Sequence, residues 1–76
     1  MTDTATRAFS YWMEAAREDL ASARLYSTRS NRTPILRRAM VCVRYALGAA
    51  NALRDQSRRS LCLRILTWLR AALAAL

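Results

Sequence analysis

The sequence predicts an all-α protein: a small three-helix bundle, or a helical hairpin followed by a C-terminal amphipathic helix. Three observations point there. Alanine and leucine dominate while β-branched residues are scarce, a composition that favours helix over strand. One glycine and one proline leave few places to break the chain. Apolar residues recur at three- and four-residue steps along most of its length. Seventy-six residues make one domain at most, expected to span 1–76 with helices over about 4–28, 34–56 and 60–76.

The first helix opens on Thr2, Asp3 or Thr4, side chains that accept from the free N–H groups of a first turn. Ala5, Phe9, Trp12, Met13, Ala16, Leu20 and Ala23 then fall in one sector about 100° wide, with Arg7, Glu14 and Glu18 opposite. Glu14, Glu18 and Asp19 are all expected to face outward, and Glu14 is placed to pair with Arg17. The run STRSNRTP ends this helix, because its polar side chains compete for backbone hydrogen bonds and Pro34 disfavours a helical Thr33. Pro34 suits the first turn of a second helix, capped by Asn31 or Thr33 and running to about Gln56. Its apolar face is Ile35, Ala39, Cys42, Val43, Ala46, Ala50 and Leu53. Most of these are small, so the helix admits close approach by Phe9, Trp12 and Met13. DQSRRS marks a turn, with Ser57 or Ser60 capping a third helix that is expected to bury Leu61, Ile65, Leu66, Trp68, Leu69, Ala72, Leu73 and Leu76.

That third apolar arc is wider than docking against two neighbours requires. Excess exposed apolar surface marks an interface, so Leu61, Ile65, Trp68, Leu69 and Leu76 are candidates for contact with neighbouring subunits in an oligomer or complex. The run from Leu61 to Leu76 is short of the ~20 residues that span a bilayer and carries Arg64 and Arg70, so no integral membrane span is expected. The N-terminal MTDTATRAFS lacks the apolar stretch of a signal peptide, which favours a cytoplasmic protein.

Charge is lopsided. The chain has thirteen basic and five acidic residues for a net +8, and every basic residue is arginine. Residues 1–30 hold four arginines against four carboxylates, whereas residues 31–76 hold nine arginines against Asp55 alone. Such a field attracts polyanions. GC-rich coding offers another origin for arginine over lysine, but not for the missing carboxylates.

On a single long second helix, Arg37, Arg44, Asn51 and Arg58 are spaced by sevens and form a stripe drifting about 20° per step, turned away from the apolar face. Arg38, Arg54 and Arg59 flank it, Arg64 follows, Arg32 before the helix is placed to extend it, and Tyr45 is near enough to stack on a base. Arginine suits phosphate, because its planar fork donates two parallel hydrogen bonds. The nucleic-acid-binding set is therefore Arg37, Arg38, Arg44, Arg54, Arg58, Arg59 and Arg64, contacting backbone without reading sequence. A solvated face that keeps an alanine-rich helix soluble is the plain alternative, but such faces usually mix signs.

Catalytic chemistry is not expected. There is no histidine, no glycine-rich phosphate loop and no clustered acid–base pair. Cys42 and Cys62 are too few for a disulfide scaffold or a four-ligand zinc site and read as buried free thiols. No cofactor or metal is expected.

Residues 11–26, YWMEAAREDLASARLY, resemble the opening helix of HEPN domains, which often reads Trp, then Ala, then Asp-Leu, then Ala. HEPN nucleases act through an Arg and a His a few residues apart on a later helix. Without histidine the resemblance implies no RNase activity here. In size, charge and fold class the chain is similar to the small subunits of CRISPR effector complexes, which stack in multiple copies and hold nucleic-acid backbone. That similarity implies a non-enzymatic accessory subunit of a nucleoprotein assembly. The alternative is a protein–protein adaptor, or a phage- or plasmid-encoded inhibitor, whose arginines meet an acidic partner. An interfacial membrane peptide built on the third helix is a weaker third reading.

Overall fold

Three helices follow one another along the chain: α1 (Thr4–Ala23), α2 (Arg29–Asn51) and α3 (Gln56–Ala74). A computed structural model describes residues 3–76, and no strand occurs among the described residues. The all-α three-helix architecture is the one the composition and periodicity predict.

Asp3 caps α1, its carboxylate accepting from Ala5 N–H at 3.2 Å. Thr4, a second candidate cap, is instead the first residue of the helix, and Thr2, the third, lies outside the described residues. Phe9, Met13, Ala16, Leu20 and Ala23 are buried, and Trp12 is half-buried. The helix ends five residues before the expected 28. Arg24 N–H still reaches Leu20 O, but Leu25 and Tyr26 turn back in tight bonds to Ser22 O and Ala23 O. Ala23 is the last residue of the apolar repeat. Beyond it there is nothing to bury, and Leu25 is left 83% exposed.

α2 begins at Arg29, five residues before Pro34, so Pro34 lies inside the helix rather than in its first turn. Neither Asn31 nor Thr33 is the cap. Thr28 holds that position in extended backbone, without a side-chain hydrogen bond. The extra turn is tied down from outside. Arg32 donates through Nε to Tyr26 O at 2.6 Å and through Nη1 to Leu76 O at 3.3 Å, pinning the start of α2 to the preceding turn and to the end of α3. Thr33 Oγ1 donates to Arg29 O at 2.9 Å. Pro34 brings no N–H for Ser30 O, but Ser30 is exposed, so water can serve that carbonyl.

α2 also stops early, at Asn51 rather than about Gln56. The turn to α3 falls at residues 52–55, where Leu53 is buried at the end of the bundle. Asp55 caps α3, accepting from Ser57 N–H at 2.9 Å and Arg58 N–H at 3.3 Å. The serines expected in that role, Ser57 and Ser60, instead lie within the helix. A carboxylate that faces two free N–H groups and the positive end of a helix outcompetes a hydroxyl there.

One core joins the helices. Ala39, Cys42, Val43, Ala46 and Ala50 of α2 form the small-residue face into which Phe9, Met13 and Leu20 of α1 pack. α3 adds Leu66, Leu69 and Leu73. The expected burial of Leu61, Ile65 and Trp68 fails: they are 58%, 38% and 57% exposed. With only two neighbours to one side, a helix buries a single stripe, and these three residues lie on the next one round. The molecule measures 42 × 18 × 14 Å, elongated along the helices. No helix is long and apolar enough to cross a membrane among the described residues.

Candidate nucleic-acid interface

The end of α2 at Asn51 divides the expected arginine stripe. Arg37 and Arg44 remain on α2, exposed, as expected. Arg54 lies in the turn, and Arg58 and Arg59 lie in the opening turn of α3, Arg59 half-buried. Arg58 borders a recess with Thr6, Ser10 and Leu61, at the opposite end of α3 from Leu73 and Leu76. Arg64 is exposed on α3. The seven-residue spacing from Arg44 through Asn51 to Arg58 is thus real in the chain but absent in space, because a turn intervenes.

Arg38 leaves the set for a different reason. Its guanidinium grips the Asp19 carboxylate of α1 with two nitrogens, Nη2 to Oδ1 at 2.7 Å and Nε to Oδ1 and Oδ2 at 3.1 and 3.2 Å. Asp19 is buried, contrary to its expected outward position. Arg38 remains well exposed, and this hydrogen bond, followed by the charge of Asp19, raises its pKa above the ordinary value. This is the one ion pair among the described residues. Glu14 and Arg17 do not form theirs, although both border one recess between α1 and α3.

The pair is asymmetric, which gives a test. Arg38→Ala strands a buried carboxylate with no partner, whereas Asp19→Ala releases a mostly exposed guanidinium into water. Thermal unfolding followed by circular dichroism is expected to show the larger loss of Tm for Arg38→Ala. Replacing both partners with apolar residues should recover much of it. Equal losses for the two single variants would refute this account of the pair.

The arginines that do converge line a groove of about 700 Å³ between α2 and the end of α3. Arg29, Arg32, Arg37 and Arg44 stand along it, and Leu36, Met40, Val41, Leu73 and Leu76 form its apolar floor. No Asp or Glu side chain lines it. Arg70 borders an adjoining recess that shares Leu36, Met40, Leu73 and Ala74. Arg32 is held by Tyr26 O and Leu76 O, so it shapes the groove and adds charge to it, while Arg29, Arg37 and Arg44 are exposed. Along the helix axis, Arg29 to Arg37 is a rise of about 12 Å and Arg37 to Arg44 about 10 Å.

Arg29 and Arg70 are absent from the expected set, and Arg32 enters the expectation only as an extension of the stripe from before the helix. Arg29 and Arg32 fall in a segment expected to be loop. Arg70 joins only because α3 folds back beside α2. Among the interface candidates, Leu76 lines this groove, half-buried, and Leu69 is wholly in the core, where it offers no surface. Tyr45 is exposed but already stacked on Trp12, with ring centres 4.7 Å apart and planes at 23°, and Tyr11 meets Trp12 edge-on at 4.9 Å. Only one face of Tyr45 is therefore open to a base.

Both cysteines are free thiols. Cys42 is buried, as expected, and Cys62 is half-buried. Burial is the main cause that pushes both thiols up; for Cys42, nearby Asp19 adds to it. Thiols held protonated in this way make poor nucleophiles. No group of three or more possible metal-binding side chains occurs among the described residues.

No family model, curated protein or solved structure matches the chain.

Proposed function

We propose that the protein is a non-enzymatic nucleic-acid-binding subunit that holds the phosphate backbone in the α2–α3 groove. The observation that supports this reading is the gathering of Arg29, Arg32, Arg37 and Arg44 in one groove that no Asp or Glu lines, within a chain of net charge +8. Arg29, Arg37 and Arg44 donate to phosphate oxygens, and Arg70 adds to the field. Their axial steps of about 10–12 Å suit phosphates several nucleotides apart. Nothing in such a row reads base edges, so binding is insensitive to sequence. Association with neighbouring subunits in a nucleoprotein assembly belongs to the same reading.

The groove's apolar floor favours a second occupant, an acidic amphipathic helix of a partner protein, which corresponds to an adaptor or inhibitor. Salt dependence separates the two. Labelled single-stranded and duplex oligonucleotides are titrated by fluorescence anisotropy between low and physiological salt. Three engaged phosphates predict log–log slopes near −2.7 for duplex and near −2.1 for single strands. No binding at low salt, or a slope near zero, eliminates the nucleic-acid reading.

A further inference from the structure

On a face of α3 that takes no part in lining the groove, Leu61, Ile65 and Trp68 form an exposed apolar stripe. Their spacing of four and then three residues continues to Ala72, a short coiled-coil seam with Leu61 and Trp68 at d-type positions and Ile65 at an a-type position. The stripe has unlike flanks. On one side Ile65 borders the open recess of about 650 Å³ against α1, whose wall carries Glu14, Arg17 and Glu18, net negative in a strongly basic chain. On the other side, one residue back and about 100° round the helix, stands exposed Arg64.

We infer that two copies of this chain pair through parallel α3 helices about a two-fold axis running along them. That symmetry sets the apolar stripes face to face. It also brings the Arg64 flank of each copy against the Glu14–Glu18 flank of the other. An antiparallel pairing would instead set Glu14 and Glu18 against their own copies. Among parallel pairings, a β-branched residue at a with leucine at d, as at Ile65 and Leu61, favours two strands over three or four. The interface is isologous, so it closes at two copies. Because neither the stripe nor Arg64 lines the groove, the dimer leaves both arginine grooves open. The pairing does not depend on what the grooves bind.

Sedimentation equilibrium of the full chain without nucleic acid tests it. The wild type is expected to dimerise. Ile65→Glu is expected to weaken the dimer on the order of 100-fold, since it places a charge in an apolar seam. The helical circular dichroism should persist, because Ile65 is outside the core. Charge reversal supplies the independent check. Glu14→Arg with Glu18→Arg weakens association about five- to tenfold, and adding Arg64→Glu restores it. A disulfide-linked dimer of Leu61→Cys in a Cys62→Ser background supports the parallel register. A wild type that is monomeric at all concentrations overturns the proposal, as does a dimer that survives Ile65→Glu. A charge reversal that Arg64→Glu fails to rescue overturns the two-fold geometry.

Discussion

Leu69→Ala is expected to leave much of the chain unfolded. Leu69 is the largest completely buried side chain among the described residues, and α3 has only two other buried anchors, Leu66 and Leu73. Truncating a core leucine costs about 2–5 kcal/mol, through lost burial and the cavity left behind. A chain of this length has roughly 4–11 kcal/mol of stability in total. The substitution removes a large share of it, from the helix least able to compensate. Urea denaturation monitored at 222 nm is expected to show a midpoint shifted far down or no folded baseline. Leu25→Ala, at the most exposed large apolar residue, is the control and should change stability by less than about 0.5 kcal/mol. If Leu69→Ala matches that control, α3 is not held by its buried leucines.

Replacing Arg29, Arg37 and Arg44 together with Gln is expected to lower nucleic-acid affinity by roughly 150-fold at physiological salt. The figure follows from counterion release on duplex: each lost phosphate contact is worth about 5.5-fold at roughly 0.15 M salt, and the three multiply. The measured slope against salt should fall by about 2.7 for duplex, and affinity should fall alike for all sequences. Folding should be unchanged, since all three side chains are exposed and none belongs to the one ion pair among the described residues. The matched control is Arg54, Arg58 and Arg59 replaced by Gln. These lie in the 52–55 turn and the first turn of α3, away from the groove, and their loss should cost only a few fold through reduced net charge. If the control variant loses as much affinity as the groove variant, binding follows overall charge and the groove has no special role.

Much of the fold is legible in the linear chain, because helical periodicity is a local signal. The buried face of α1 and the small-residue face of α2 are read from three- and four-residue steps, and both are in the core. Asp19 carries a local signal of its burial. It stands seven residues after Trp12 and four before Ala23, on the edge of the apolar face, where a lone carboxylate requires a partner. That Arg38 supplies it depends on how α1 and α2 are aligned.

Helix ends are the least legible part, and they matter most for the site. Whether α2 begins at Pro34 or at Arg29 is decided by Arg32, whose two carbonyl partners lie 6 and 44 residues away in the chain. Whether Arg58 continues the stripe of Arg37 and Arg44 is decided by Asp55, which caps a new helix instead of joining the old one.

The sequence by itself determines that the chain is helical, which faces of α1 and α2 are apolar, and that the positive charge is concentrated in its later part. Each follows from residue type and spacing, and needs no knowledge of what the chain folds against. Only the tertiary structure decides which arginines stand together, which one is spent on a buried carboxylate, and which apolar residues of α3 are left uncovered. Those outcomes depend on where helices stop and turn back, and that is set by contacts between residues far apart along the chain.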